Sequence, residues 1–231
     1  THKTSSAASD VYKRQLLAYA NSQLSKALDI NTLTIGFARR AATYKRAQLI
    51  FKDLDRLIDI GKGKIQIIFS GKAHPKDEGG KSLIKNIVKS SKYFTGHIKI
   101  IYLENYNMWL GRLITSGVDV WLNTPLRPNE ASGTSGMKAS LNGVPNLSVL
   151  DGWWSEGCID GVNGWAIGNP NEISDESDAD HLYNLIENNV IPSYYGDKDD
   201  WSTMMKESIK TGISYTSHRM VTDYNNQYYK S

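Results

Sequence analysis

The amino-acid sequence predicts an α/β domain with a doubly wound parallel sheet, because two kinds of pattern alternate along most of its 231 residues. Short runs rich in β-branched and aromatic residues are apolar throughout, which is typical of strands buried on both faces of a sheet. Longer stretches with apolar residues at helical spacing separate these runs. No flexible linker or internal repeat interrupts the alternation, so we expect one domain over residues 16–231.

The first half of the chain contains three strands and their helices. A helical pattern comes first and comprises Leu16, Leu17, Tyr19, Leu24 and Leu28. The run LTIGFA at 33–38 predicts a buried strand, and a helix follows at about 44–60. KIQIIFSG at 64–71 and HIKIIYLE at 97–104 predict two further strands, which flank a helix at about 80–92.

The second half continues the alternation. A helix at about 108–116 leads into the strand VDVWLN at 118–123, and a glycine-rich turn then leads into another helix. The remaining predicted elements are strands at 145–152 and 164–168 and amphipathic stretches near 177–190, 201–211 and 217–229. In a sheet of this kind, ligands are expected at the carboxyl ends of the strands, beside helix N-termini.

Residues 1–15, THKTSSAASDVYKRQ, differ from the rest of the chain because they show no core pattern. We therefore expect a non-native or disordered leader here. Residues 1–15 therefore lie outside the predicted domain.

Charge, cysteine content and hydropathy narrow the class of protein. A net charge of +3 is too small to favour a nucleic-acid partner, and no run of about 18 apolar residues exists to cross a membrane. Cys158 is the single cysteine, which excludes an internal disulfide and favours a reducing compartment. The five histidines show no metal-ligand spacing. We expect a cytoplasmic protein with no metal, no membrane partner and no nucleic-acid partner.

The basic loop, FARRAATYKRA at Phe37–Ala47, follows the first predicted strand. Arg39 and Arg40 come just past the strand, and Lys45 is expected in the first turns of the next helix. Arginine forks and a lysine point charge beside helix amides both suit phosphate oxygens, so an anion site is one interpretation. The alternative is that these cations, with Arg46, cap the sheet edge and solvate a surface.

The glycine-rich segment, NEASGTSGMKASLNG at Asn129–Gly143, follows the strand at 118–123. Backbone amides of a Gly/Thr/Ser turn at a helix start can cradle a phosphate. The segment is not a Walker loop, because Ala139 follows the lysine where serine or threonine is needed. Lys138 can then assist a bound phosphate directly, or hold an aldehyde cofactor such as pyridoxal phosphate covalently through its amine.

Several long motifs, in this order, resemble the α-glucan (glycogen/maltodextrin) phosphorylases, especially their shorter microbial branch. They are FARRAATYKRA, IIFSGKAHP, YLENYNMWLGRLITSGVDVWLN, EASGTSGMKASLNG and LDGWWSEG. The resemblance implies the C-terminal, Rossmann-like half of a two-domain GT-B glycosyltransferase. The implied reaction is a retaining glucosyl transfer, in which inorganic phosphate attacks the non-reducing end of an α-1,4-glucan and releases glucose 1-phosphate. The implied cofactor is pyridoxal 5′-phosphate.

The resemblance also implies roles for residues around the cofactor. Lys138 in GMK corresponds to the lysine that holds pyridoxal phosphate. Thr134 and Ser135 correspond to the amide donors around its 5′-phosphate, with Arg39 adjoining that phosphate. Tyr106 in ENY is expected near the ring.

A second set of roles concerns the substrates. By resemblance, Arg40 and Lys45 hold the substrate phosphate and, with Lys138, form the catalytic set. The residues expected to bind the transferred glucose are Glu130, Ser132 and Gly133, with Tyr44 close by.

The chain departs from the family pattern at three points. Muscle-type members read GTGNMK where this chain reads GTSGMK, and they have lysine at the position of Arg39 and arginine at that of Asn107. The family's N-terminal domain, with its glycine loop, a histidine near the glucose and most of the glucan groove, is missing from this sequence. We expect that domain to be a partner of the chain, the chain alone to be inactive, and a homo-oligomer to be possible.

Two other functions stay open at this point. One is a sugar-nucleotide-dependent GT-B glycosyltransferase similar to glycogen synthase, in which the basic loop would grip a diphosphate. EASGTSGMK lacks the E-x-x-G-L pattern typical of that nucleotide site. The other is a noncatalytic module that binds an anion or a glucan.

Overall fold

The computed structural model describes residues 2–23, 27–169 and 171–230. Their six strands form one parallel sheet in the order β3-β2-β1-β4-β5-β6. The strands are β1 Leu33–Arg40, β2 Ile65–Lys72, β3 Lys99–Leu103, β4 Val120–Asn123, β5 Asn146–Val149 and β6 Gly164–Ile167. This is the strand order of the Rossmann-like doubly wound fold, so the predicted fold class is confirmed.

The helices follow the predicted alternation closely. They are α1 His2–Gln23, α2 Leu54–Gly61, α3 Glu78–Tyr93, α4 Met108–Gly117, α5 Thr134–Leu141, α6 Trp154–Gly157, α7 Asp175–Leu185, α8 Ile191–Tyr195, α9 Lys198–Ile213 and α10 Ser217–Tyr224. A π-helical turn, Ile186–Val190, joins α7 to α8, and another, Asn225–Tyr229, extends α10. The short helices α6 and α8 have no counterpart in the sequence prediction.

The largest difference concerns the helix predicted at about 44–60. Two 3-10 turns, Thr43–Lys45 and Leu49–Phe51, precede α2 there. Arg46 has a left-handed backbone with φ of 45°, which ends the first turn. Lys45 therefore lies in a tight turn after β1, and its expected place in a long helix is wrong.

Helices cover both faces of the sheet, as a doubly wound fold requires. On one face Ile35, Ile67 and Val120 pack in a cluster with apolar residues of α2, α3 and α7. On the other face Ile68 and Trp121 pack with apolar residues of α1 and α4. The strands are therefore buried on both sides, which is the reason that their sequences are apolar throughout.

Helix α1 contains most of the segment that we expected to be a non-native or disordered leader. Lys13 is buried, and its Nζ donates to Asp119 Oδ2 at 2.6 Å, to Tyr194 Oη at 2.9 Å and to the Thr32 carbonyl at 2.9 Å. Leu16 is buried against α4, where Gly117 leaves no room for a side chain. Residues 9–15 are thus part of the packed fold. Leu24 of the predicted helical pattern lies outside the described residues.

Within the described ranges no helix has the length and apolar character that a membrane crossing requires.

Candidate functional site

The basic loop and the glycine-rich segment meet at one edge of the sheet. The basic loop follows β1 and the glycine-rich segment follows β4, and these two strands are parallel neighbours. The chain winds from β1 towards β3 on one side and from β4 towards β6 on the other. The two loops therefore flank the topological switch point, where ligands of doubly wound sheets bind.

A buried carboxylate lies between two cations at this edge. Lys45 Nζ contacts Glu130 Oε2, and Arg39 Nη2 lies 3.5 Å from Glu130 Oε1. The side chains of Glu130, Arg39 and Lys45 are only 3%, 9% and 11% exposed. Water screens charges weakly at such depth, so each cation strongly stabilises the carboxylate. Lys45 Nζ also lies 4.6 Å from the centre of the Tyr44 ring.

Arg39 retains capacity to bind an anion. Its Nη2 donates to Ser135 Oγ at 2.9 Å, but its Nη1 is buried without a hydrogen-bond partner among the described residues. Burial lowers the pKa of Arg39, and the charge of Glu130 opposes that shift. A buried guanidinium nitrogen without an acceptor is costly, so this atom is a candidate donor to an anion.

Gly133 starts helix α5 and fixes the shape of the turn. Its φ of +91° is in the left-handed region, and a Cβ at this position would lie 2.9 Å from Trp153 Cδ1 and 3.3 Å from Glu130 Oε1. The amides of Thr134 and Ser135 lie in the first turn of α5, where helix geometry provides no intrahelical acceptor. With Arg39 beside them, these donors form a cradle for an anion of phosphate size.

A supporting segment, Asp151–Trp153, is hydrogen-bonded to the glycine-rich segment. Asp151 Oδ2 accepts from the Glu130 amide at 2.8 Å, and Oδ1 accepts from the Gly152 amide at 3.0 Å. The Trp153 amide donates to the Ser132 carbonyl at 2.8 Å. No role for these residues was predicted, although the Asp-Gly pair at the end of a buried strand is a sequence signal for such a turn.

The remaining predicted cofactor residues lie around α5. Lys138 is exposed, about one turn beyond Thr134. Tyr106 is half-buried against Gly111 of α4, and burial raises its pKa while the charge of Arg39 opposes the shift. Hydrogen bonds and ion pairs join Arg39, Ser135 and the Glu130 cluster directly, and none is found between Lys138 and Tyr106 among the described residues.

The four cations of the basic loop divide into three environments. Arg39 and Lys45 face Glu130, whereas Arg40 is exposed at the end of β1, opposite Lys72 of β2. Arg46 is buried among acceptors on the far side of the turn. Three of them are buried and do not solvate a surface, whereas the bonds of Arg46 to the carbonyls that follow β4 agree with the other part of that interpretation, the capping of the sheet edge.

A match to a family model shows which protein family the chain belongs to. The family model for carbohydrate phosphorylases matches residues 2–156 of this chain. The chain belongs to the carbohydrate phosphorylase family. The matched region begins within α1 and includes both loops and the supporting segment.

Named phosphorylases are similar to the chain over most of its length. Maltodextrin phosphorylase of Thermococcus litoralis is 52% identical over 211 residues, which cover 87% of this chain and 25% of that protein. Glycogen phosphorylase of Aquifex aeolicus is 48% identical over 214 residues, 87% of this chain and 31% of that protein. Glycogen phosphorylase of Mycobacterium tuberculosis H37Rv is 44% identical over 220 residues. The chain spans a quarter to a third of the length of these relatives.

In this family member, Asn107 has a local structural role. It is the N-cap of α4, where its Oδ1 accepts from the Leu110 amide at 2.9 Å. The buried cation beside Ser135 is instead Arg39. No group of three or more potential metal ligands occurs within the described ranges.

Proposed function

We propose that this phosphorylase-family chain is the cofactor-bearing domain of an α-glucan phosphorylase. The complete enzyme would use inorganic phosphate to release glucose 1-phosphate from the non-reducing end of an α-1,4-glucan. The observation that supports this best is Glu130, a buried carboxylate between Arg39 and Lys45 beside the start of α5. Such a site offers two cations for anions and one acceptor for sugar hydroxyls.

The residues present fit pyridoxal 5′-phosphate. The unpartnered Arg39 Nη1 and the first amides of α5 suit its phosphate, and the exposed amine of Lys138 is about one turn further along the same helix. Tyr106 would lie beside the ring. When bound, the cofactor supplies a phosphate group that can exchange a proton with the substrate phosphate.

The substrate phosphate would be held by Lys45 and Arg40. Two phosphates close together repel strongly in a site of low dielectric constant, so each needs its own cations. Arg39 would serve the cofactor side and Lys45 the substrate side, with Glu130 between them. This separation would give each phosphate its own cation, so that both could stay bound in the same site.

Glucose would be bound by the glycine-rich segment. Glu130 can accept hydrogen bonds from sugar hydroxyls, and Ser132 and Gly133 present polar groups beside it. Asp151 fixes the Glu130 backbone, and Trp153 fixes that of Ser132, so these groups are pre-organised. The regions that relatives possess beyond this chain would complete the glucan groove, and we propose that they form the partner domain.

Covalent labelling tests the cofactor assignment. The chain is incubated with pyridoxal 5′-phosphate and reduced with borohydride, and the labelled peptide is mapped. We expect the label at Lys138 and its loss in Lys138→Arg, with Lys81→Arg as the control because Lys81 is an exposed lysine on α3. A label at other lysines only, unaffected by Lys138→Arg, would contradict the assignment.

An activity measurement tests the reaction. A polypeptide that contains this chain and the remaining phosphorylase regions should release glucose 1-phosphate from maltodextrin only when inorganic phosphate is present. Glucosyl transfer from ADP-glucose or UDP-glucose without pyridoxal phosphate would instead support the glycogen synthase-like alternative. Glucan binding without either reaction would support a noncatalytic module.

A further inference from the structure

Arg46 follows Lys45 in the chain but has a different environment. We propose that Arg46 is a positioning residue, which holds Lys45 against Glu130 by tying the turn after β1 to the segment after β4. The inference deepens the proposed function and rests on it for the identity of the ligand. Lys45 and Arg46 are both buried, yet they have different acceptors. Lys45 contacts Glu130, whereas Arg46 donates to Asp178.

The first evidence is the set of bonds from the guanidinium to the segment after β4. Arg46 Nε donates to the Thr124 carbonyl at 3.0 Å, and Nη2 donates to the Pro125 carbonyl at 2.9 Å. Both carbonyls directly follow the last residue of β4, Asn123. The planar fork reaches both carbonyls and still has donors left for carboxylates, four acceptors in all, whereas a lysine ammonium has three donors on one atom and is not equivalent here.

The second evidence is a further set of hydrogen bonds between the segment after β4 and the turn after β1, in which backbone carbonyls of the turn are the acceptors. Thr124 Oγ1 lies within hydrogen-bond distance of the Lys45 carbonyl at 3.0 Å and of the Arg46 carbonyl at 3.1 Å. The Leu126 amide donates to the Tyr44 carbonyl at 2.7 Å. The Tyr44 carbonyl therefore accepts from Leu126, and the single hydroxyl proton of Thr124 is shared between the next two carbonyls of the turn.

The third evidence is a fixed counter-charge for Arg46. Its Nη2 donates to Asp178 Oδ2 at 2.6 Å and its Nη1 to Asp175 Oδ1 at 2.8 Å, both from α7. The Asp178 side chain is 1% exposed, and Gly168 leaves it space because a Cβ there would collide with Oδ1. Arg46 thus has its own anions and does not compete with Lys45 for Glu130.

These contacts determine where the amine of Lys45 lies. Its backbone is held by Thr124, and Glu130 follows Leu126 by four residues in the joined segment. Loss of the connection should let the turn and the segment move apart, which would weaken the pair of Lys45 with Glu130. Lys138 should be affected little, because Gly133 and Trp153 fix α5 independently.

Two variants remove different parts of the connection. Arg46→Lys keeps a charge for Asp178 but loses the bond to the Thr124 carbonyl through Nε. Thr124→Val keeps the whole Arg46–Asp178 pair and the side-chain shape, and it removes only the hydroxyl. Ile98→Ala is the control for destabilisation, because Ile98 is buried in the same core but lies just before β3, at the opposite end of the strands from the connection.

The direct measurement is the NMR signal of the Lys45 ammonium group in the chain. A buried ion pair slows proton exchange, so we expect a detectable signal in the wild-type chain and in Ile98→Ala, and its broadening in Arg46→Lys and Thr124→Val. An unchanged signal in both variants would overturn the inference. Equal broadening in Ile98→Ala would also overturn it, because the effect would then follow stability alone.

The affinity for inorganic phosphate gives the functional measurement. By calorimetric titration we expect the dissociation constant to rise about tenfold in Arg46→Lys and Thr124→Val, which is about 1.4 kcal/mol, and to stay within about twofold in Ile98→Ala. Borohydride labelling of Lys138 should be unchanged in all three. If the wild-type chain binds no phosphate, the proposed substrate site is contradicted, and the ammonium signal still decides whether Arg46 positions Lys45.

Discussion

The basic loop and the glycine-rich segment form the same candidate site, but they present different chemical groups and are held in place by different contacts. The basic loop presents long cationic side chains, and its turn is held by side-chain bonds from Arg46 and Thr124. The glycine-rich segment presents backbone amides and short polar groups, and it is held by the supporting segment together with the absence of a side chain at Gly133.

The difference follows from what each loop presents. A long cation has several rotatable bonds, so its backbone must be anchored before the charge can lie in one place. An amide cradle has no such freedom, but an anion must approach the backbone closely, so side-chain atoms must be excluded. The basic loop should therefore tolerate changes that keep its hydrogen bonds, and the glycine-rich segment should tolerate none that add a Cβ at the cradle.

The strongest test of this contrast is Gly133→Ala. A left-handed alanine costs about 1–2 kcal/mol wherever it occurs, and here the new Cβ would also collide with Trp153. We expect labelling of Lys138 by pyridoxal phosphate and borohydride to fall by about tenfold or more. Gly63→Ala is the matched control, because Gly63 has φ of +71° and no atom within 4 Å of the new Cβ. Similar labelling of the two variants would refute a special role for Gly133.

Asp151→Ala tests the support beneath the glycine-rich segment. It leaves the buried Glu130 amide without its acceptor, which typically costs about 1–3 kcal/mol. We expect weaker binding of glucose 1-phosphate in a calorimetric titration, by roughly tenfold. Asp160→Ala is the control, since Asp160 Oδ1 accepts from the Ala166 amide at 2.9 Å at an exposed position. Equal losses in both variants would show that the supporting segment acts only on stability.

Glu130→Gln tests the connection between the two loops. It removes the anion that pairs with Lys45 and Arg39, so both cations become available to other anions. We expect inorganic phosphate to bind several-fold more tightly, a gain of about 1 kcal/mol that high salt reduces. Glu207→Gln, which removes an exposed partner of Lys210, should change nothing. Weaker phosphate binding in Glu130→Gln would mean that Glu130 organises the cations more than it competes with the ligand.

The smallest effect is expected for Ser135→Ala. The variant removes one acceptor of Arg39 Nη2 and leaves the helix backbone intact. Loss of such a bond typically costs about 0.5–1.5 kcal/mol, so the affinity for pyridoxal phosphate should fall only a few-fold. Ser22→Ala, which removes an exposed hydroxyl bonded to the Tyr19 carbonyl, is the control. A loss as large as that of Gly133→Ala would contradict the view that the backbone, and not the side chains, forms the cradle.

Much of the fold could be predicted because its signals are local. Each strand is a continuous apolar run, and α3, α4 and α9 have clear helical spacing, so their positions agree with prediction within a few residues. The helix expected at 44–60 failed because the left-handed Arg46 ends the first turn and its bonds lead to residues 124, 125 and 178. The packing of residues 9–15 was not predicted because it depends on a distant contact. Lys13 is stabilised by Asp119, which lies more than one hundred residues away in the sequence.

The sequence by itself determined the class of fold. It also identified the two loops of the candidate site through the family motifs that they contain. All of these are patterns of residues close together in the chain. The tertiary structure alone decided which cation meets which anion. The family motif singled out Lys45 but named no partner for it or for Arg46, and the structure pairs one with Glu130 and the other with Asp178. The physical reason is that a buried charge takes its role from the acceptors that the folded chain brings to it, and the order of the strands sets those acceptors.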